Sequence, residues 1–193
     1  TRALRNGMSL HILFEQLRDI RSDVRIPLIL MGYLNPIMKF GFEAFCQKCV
    51  ECGIDGVIIP DLPFKDYEET YKPIADRYDI RVIMLITPET SEARVREIDE
   101  HTDGFIYMVS SAATTGAQKD FDSQKQAYFK KIQDMHLRNP RMVGFGISNK
   151  QTFDAACANS SGAIIGSRFV TLLNEAEGDA EKAITQLKEG LKK

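Results

Sequence analysis

No charge of one sign dominates these 193 residues: 25 Lys and Arg stand against 27 Asp and Glu, a formal net charge of −2, with the basic residues scattered rather than clustered. A polyanionic partner needs a basic footprint, so nothing points to nucleic acid. No apolar run approaches bilayer-spanning length, so no membrane segment is expected. The start at Thr1 is not a methionine and has no charged stretch leading into an apolar one, which argues against a secreted precursor and suggests a fragment. The expected compartment is the cytoplasm. Low-complexity tracts, linkers and composition shifts are also missing, so 1–193 reads as one domain, with 44% hydrophobic residues to build its core.

Cysteine and histidine are too few to dictate a site. Of four cysteines, Cys46, Cys49 and Cys52 stand three apart in a segment that reads as helix, and successive steps of three drift around a helix axis. With no fourth ligand nearby they are expected to be buried or half-buried free thiols rather than a metal centre. His11 and His136 fall within expected helices and His101 at a helix end, none beside a motif, and all three read as surface or packing residues.

What the chain does contain is a pair of glycine-ended apolar runs. Met142-Val143-Gly144-Phe145-Gly146-Ile147-Ser148 is echoed by Gly162-Ala163-Ile164-Ile165-Gly166-Ser167, each ending in glycine and a small hydroxyl residue before a helix. Such a turn presents backbone N–H groups and a helix N-terminus to an anion. Two of them on successive strands near the end of an alternating strand/helix chain fit the phosphate cradle of a (β/α)8 barrel, which is built after strands seven and eight.

Counting backwards gives the remaining units. Gly7 closes a first helical tail, and Ser9 caps a helix bearing Leu10, Leu13, Phe14, Leu17 and Ile20. Pro27 to Met31 reads as a strand buried on both faces. A loop over 32–36 and a helix from Gly41 to Cys52, stopped by Gly53, follow. Val57 to Ile59 is a strand leading into Pro60-Asp61-Leu62-Pro63, where two prolines hold Asp61 in a stiff turn. Tyr67 to Tyr78 is an expected helix, Arg81 to Ile86 a strand, Thr87 to Ser91 a capping loop for a helix through Ile98, and Phe105 to Met108 a strand. The Ser-, Ala-, Thr- and Gly-rich loop from Val109 to Asp120 has the composition of a mobile lid. Helices are expected over 123–137, 150–159, 168–176 and 180–191. The total is six strand/helix units, so the expected fold is α/β: a TIM barrel of the phosphate-binding type with six of its eight units, two being missing from the front.

Five segments then match a known family in order: MGYLNPI (31–37), GIDGVIIPDLP (53–63), SSAATTGAQ (110–118), GFGIS (144–148) and GAIIGS (162–167) together resemble the α subunit of tryptophan synthase. The resemblance implies a lyase of tryptophan biosynthesis that cleaves indole-3-glycerol phosphate by a retro-aldol reaction into indole and glyceraldehyde 3-phosphate. It also implies an α2β2 complex with a β subunit that alone holds pyridoxal phosphate, with no cofactor and no metal in this chain. The family's catalytic Glu and Asp lie in a stretch resembling E-x-G-x-P-x-S-D-P, which these 193 residues do not contain. Both acids are therefore expected upstream of Thr1, and the chain alone is expected to be inactive.

Residue by residue, the resemblance places phosphate ligands at Gly116, Phe145, Gly146, Gly166 and Ser167. Tyr33 and Tyr107 would line the indole pocket, with Met31 and Ile58 as apolar neighbours. Thr115 sits in the lid, where the family's threonine bonds the catalytic Asp; here the segment reads Ser111-Ala112-Ala113-Thr114-Thr115-Gly116 rather than Arg-Ala-Gly-Val-Thr-Gly. Asn35, Pro36, Asp61 and Pro63 would face the β subunit. The plainer alternatives are glycines serving turn geometry only, tyrosines serving the core, and solvated loop ends; Asp61 is also the fallback acid/base, being the one carboxylate on a rigid mount at a strand end.

Two other functional readings stay open. Another phosphate-binding barrel, such as indole-glycerol-phosphate synthase or phosphoribosylanthranilate isomerase, would show Lys, Glu, Cys or Asp at strand ends, where this chain has Tyr, Pro-Asp, Thr-Pro, Ser and Gly. A non-catalytic phosphate-ligand-binding or β-subunit-regulating module is the alternative from a different class. An arc of six strands leaves two edges unpaired, so the isolated chain is expected to be less stable than a full barrel or to associate through its open edge.

Overall fold

Parallel strands in sequence order, most of them followed by a helix, set the architecture. The computed structural model describes residues 5–109, 118–144 and 146–192, and the side chains of these except 118–122. Close contacts divide the chain into two compact units, Thr1–Met84 with His101–Gly104 and Leu85–Glu100 with Phe105–Lys193.

In the first unit, Ser9 opens α1 (Leu10–Leu17) by accepting the Ile12 N–H at 3.3 Å, the local cap that its position implies. Strands β1 (Ile29–Met31), β2 (Gly56–Ile58) and β3 (Arg81–Ile83) form a parallel sheet in that order, with Leu30 beside Val57 and Val57 beside Val82. Helices α2 (Leu34–Phe40) and α3 (Phe42–Glu51) follow β1, divided at Gly41, whose φ of 91° suits glycine. Phe14, Phe45, Cys46, Cys49 and the sheet residue Val57 are buried, with the rings of Phe14 and Phe45 edge-on at 5.6 Å.

The N-terminal ends of β1 and β2 are tied by Arg21. Its guanidinium donates to the carbonyls of Gly53 at 2.7 Å, Ile26 at 2.6 Å and Val24 at 3.1 Å and pairs with Asp55, whose carboxylate also accepts the Leu28 N–H at 2.7 Å. Gly53 has φ 69°, and a Cβ there would lie 2.7 Å from the Arg21 side chain, so glycine is required on both counts.

After β2 the helix comes in three pieces: α4 (Phe64–Asp66), a π turn over Tyr67–Tyr71, and α5 (Lys72–Arg77). Pro73 explains the π turn. It has no N–H to give Glu69, and its ring crowds that carbonyl, so the chain widens by one residue and the Lys72 N–H donates to Tyr67 instead.

In the second unit β4 (Leu85–Ile86), β5 (Ile106–Val109), β6 (Arg141–Gly144) and β7 (Gly162–Ala163) form a parallel sheet, again in sequence order. Helices α6 (Glu92–His101), α7 (Gln118–Asp134), α8 (Lys150–Cys157), α9 (Ser167–Glu175) and α10 (Ala180–Gly190) alternate with and follow the strands. Asp99, buried on α6, accepts the N–H groups of Arg138 at 2.7 Å and Asn139 at 2.8 Å and so fixes the turn that enters β6. Leu172 of α9 and its C-cap residue Ala176 pack against Ala183 of α10. Neither sheet shows the reversal of strand order that marks a doubly wound fold; strict succession is the barrel pattern.

Several expectations are corrected. The Pro27 to Met31 run is a strand only over Ile29–Met31, and it is not buried on both faces: Met31 is 54% exposed, because β1 pairs with β2 alone among the described residues. Arg81 to Ile86 is interrupted at Met84, with β3 pairing to β2 and β4 to β5. α6 runs on to His101, and α7 ends at Asp134, before His136, whose φ of 51° takes it out of any helix. The second glycine run is a strand only over Gly162–Ala163.

Candidate functional site

The two glycine turns lie at the C-terminal ends of β6 and β7, and they are built differently. After β6, Phe145 lies outside the described residues, Gly146 has φ 77°, and Asn149 caps α8: its side chain accepts the Thr152 N–H at 2.9 Å while Thr152 Oγ1 accepts the Asn149 N–H at 3.2 Å. Thr152 Oγ1 also accepts the Ser148 N–H at 3.1 Å. Side chains of the turn itself therefore engage these donors. The Asn149 and Thr152 pair forms a capping box, and its three-residue spacing is a signal the sequence carries beside the glycines.

After β7, Gly166 sits at the N-cap of α9 with no side-chain cap, so among the described residues no side chain caps the first-turn N–H groups that begin with Ser167. Gly166 has φ −106°, which any residue adopts, and among the described residues nothing lies within 4 Å of a Cβ built there. Turn geometry accounts for glycine at 146 and does not account for it at 166. A main chain left bare at an uncapped helix terminus is what close approach by an anion requires. The Ile164 N–H, donated to Val143 at 2.7 Å, anchors this turn to β6.

Tyr107 lies within β5 and is 4% exposed, its ring crossing Gly144 at the end of β6. A Cβ at Gly144 would stand 2.1 Å from the Tyr107 hydroxyl, so Gly144 gives the ring its place. Burial raises the Tyr107 phenol above its ordinary pKa of 10.0, and the group stays protonated through the neutral range. Gly116 and Thr115 fall outside the described residues.

The remaining candidates lie in the first unit. Tyr33, at the N-cap of α2, is 68% exposed beside an apolar groove of about 480 Å³ whose walls include His11, Leu30, Met31, Pro36 and Phe40. Ile58, offered as another apolar neighbour, is buried in β2. Asn35 and Pro36 form the first turn of α2. Asp61 sits in a turn closed by the Leu62 N–H donating to Ile59 at 3.1 Å, and its carboxylate accepts the Leu34 N–H at 2.8 Å. Pro63 is the N-cap of α4. The structure thus joins Asp61 to the turn bearing Tyr33, Asn35 and Pro36, although 27 residues separate Asp61 from Leu34.

Among the described residues no group of three or more His, Cys, Asp or Glu is placed so as to hold a metal ion. Burial, with the Glu43 carboxylate nearby, pushes the Cys46 thiol up to about 12; burial and the neighbouring Cys46 do the same to Cys49. Such thiols are poor ligands and poor nucleophiles. His11 packs against Phe40 with ring centroids 4.7 Å apart and planes tilted by 52°, and His101 pairs with Glu68, packing and surface roles as their positions suggested. Among the described residues no helix is long and apolar enough to cross a membrane.

All of residues 1–193 match the family model described as tryptophan synthase alpha chain. The chain belongs to that family. A tryptophan synthase alpha chain from Bacteroides fragilis is 80% identical over 188 residues, covering 97% of this chain and 71% of the relative. Among solved structures, the tryptophan synthase alpha chain of Legionella pneumophila superposes with a TM-score of 0.84 at 28% identity, over 99% of this chain and 72% of that one. A chain of the tryptophan synthase complex from Pyrococcus furiosus gives 0.83 at 26% identity, over 98% and 76%. The family is a lyase family of tryptophan biosynthesis, and its barrel is the fold to which these sheets belong, present here as an incomplete one.

Proposed function

We propose that Gly146, Gly166 and Ser167 cradle the phosphate of indole-3-glycerol phosphate, together with Gly116 and Phe145, which lie outside the described residues. Cleavage of that substrate to indole and glyceraldehyde 3-phosphate is the reaction of the tryptophan synthase alpha chain family. The observation that carries the assignment is the N-terminus of α9, without a side-chain cap, behind a glycine that neither its φ nor any neighbour among the described residues requires.

A retro-aldol cleavage needs a proton delivered to the indole ring carbon, a carboxylate for the ring N–H, and a base for the glycerol hydroxyl. These residues supply the holding side of that chemistry: main-chain donors and a hydroxyl for the phosphate, and Tyr107 with its neutral phenol as a wall for the indole. Thr115, outside the described residues, and Tyr33 are further substrate-binding residues by the family resemblance. No stretch of the E-x-G-x-P-x-S-D-P kind occurs within 1–193, so the proton transfers are not assigned to these residues. Asp61 is a weak substitute, since its carboxylate is already engaged by Leu34.

Asn35, Pro36, Asp61 and Pro63 form the surface proposed to meet a β subunit in an α2β2 assembly, a reading supported by the likeness to a chain of the P. furiosus complex. Pyridoxal phosphate belongs to that partner, and this chain needs no cofactor of its own. We further read 1–193 as one partial barrel domain working in the cytoplasm.

The phosphate assignment is tested by titrating the chain with glycerol 3-phosphate in a calorimeter. Gly166→Val is expected to weaken binding by about tenfold or more in a chain that still folds, with the melting temperature lowered only by valine's poorer fit at the N-cap. Equal affinity in the variant would refute the cradle.

A further inference from the structure

The two β-facing turns are connected by one bond, and that bond has a job that neither turn performs for itself. Tyr33 at the N-cap of α2 offers no side-chain cap, and Pro36 in the first turn has no N–H. The Leu34 N–H is taken by Asp61 at 2.8 Å, from the turn after the neighbouring strand. The mount of Asp61 is stiff: Pro60 fixes its own φ, the Ile59 carbonyl accepts the Leu62 N–H at 3.1 Å, and Pro63 follows at the start of α4. On the other side, the Gly32 N–H donates to Ile58 at 3.1 Å and brings the chain off β1 level with the end of β2.

We infer that Asp61 is a positioning residue that locks the Tyr33–Pro36 turn to the Pro60–Pro63 turn, so that the two reach the β subunit as one preformed surface; the inference rests on the proposed β-facing role of Asn35, Pro36 and Pro63. Association loses affinity for every loop that must be ordered on contact, and an intrachain cap orders these two beforehand. The required property of Asp61 is an acceptor oxygen at this place, and its charge is secondary. Asparagine retains that oxygen and alanine does not.

The experiment titrates the 193-residue chain with a tryptophan synthase β subunit by calorimetry, for wild type, Asp61→Asn, Asp61→Ala, Asn35→Ala and Pro63→Ala, with amide hydrogen exchange at Leu34 measured in each free chain. Asp61→Ala is expected to weaken association by about tenfold and to speed Leu34 exchange, while Asp61→Asn stays within about threefold of wild type on both readouts. If Asp61→Asn binds as poorly as Asp61→Ala while its Leu34 exchange stays slow, the charge meets the partner directly and the positioning role is wrong. If Asp61→Ala binds like wild type, the role is also wrong, whatever Leu34 does. Absent association of the wild-type chain, or Asn35→Ala and Pro63→Ala both binding as wild type does, would remove the underlying interface reading and the inference with it.

Discussion

Strands β1 and β5 have similar apolar sequences, Ile-Leu-Met and Ile-Tyr-Met-Val, and opposite surroundings. β5 is hydrogen-bonded on both sides, to β4 and β6, and is buried from Ile106 through Met108; β1 pairs with β2 alone among the described residues, and its side chains are half-buried or exposed. The two tyrosines named for one pocket follow their strands. Tyr107 is enclosed against Gly144, and Tyr33 stands in the open. An apolar run therefore specifies a strand, and the number of neighbours it acquires decides how much of it leaves water.

The largest effect is expected in β5. Ile106→Ala should cost about 2–5 kcal/mol in urea unfolding, since its side chain is fully buried in a packed layer. A loss comparable to that of a surface substitution would break the contrast between the strands. Gly144→Ala comes next, at about 1–3 kcal/mol, because the new Cβ must displace the Tyr107 ring. Tyr107→Phe in that background should recover only part of the loss, since the ring atoms Cζ and Cε1 would still lie 2.3 and 2.5 Å from the Cβ.

A third test asks whether exposure at β1 reaches the helix layer. Cys46 and Cys49 have pKa values raised from the ordinary 9.0 to about 12, so between those limits the unfolded chain loses protons that the folded chain keeps. Their contribution to stability is intact below pH 9 and declines as pH rises towards 12, by up to about 1.4 kcal/mol per pH unit for each thiol. Denaturant titrations from pH 8 to pH 11, on wild type and on Cys46→Ala/Cys49→Ala, should show a steeper alkaline decline in the former; the slope left in the variant comes from Cys52, Cys157 and the tyrosines Tyr67, Tyr107 and Tyr128, which burial also raises. The smallest effect is Met31→Ala, expected to stay within about 0.5 kcal/mol by the same urea assay.

What the sequence made legible was local. Ser9 as a cap, Gly53 as a helix stop, the stiff turn around Asp61 and the buried thiols all follow from neighbours a few residues away, and the structure has each of them. The six strand/helix units were countable for the same reason. What was not legible depends on distant partners. The exposure of Met31 reflects which strands flank β1, the break at Met84 reflects separate pairings of β3 and β4, and the dependence of Gly144 on Tyr107 spans two strands. The Asp61 to Leu34 bond spans two loops, so the motif could name both segments without linking them. The π turn over Tyr67–Tyr71 is an intermediate case: Pro73 announces a disturbance but not the form it takes.

The central claim is that residues 1–193 hold the substrate of the tryptophan synthase alpha chain reaction without supplying its proton transfers. Its most direct test measures binding of indole-3-glycerol phosphate and release of indole by the same 193-residue preparation, with and without a β subunit. The account predicts saturable binding that Gly166→Val weakens, and no indole above background. Indole release at a catalytic rate would contradict it and would place the acid and base within these residues, with Asp61 the first to replace.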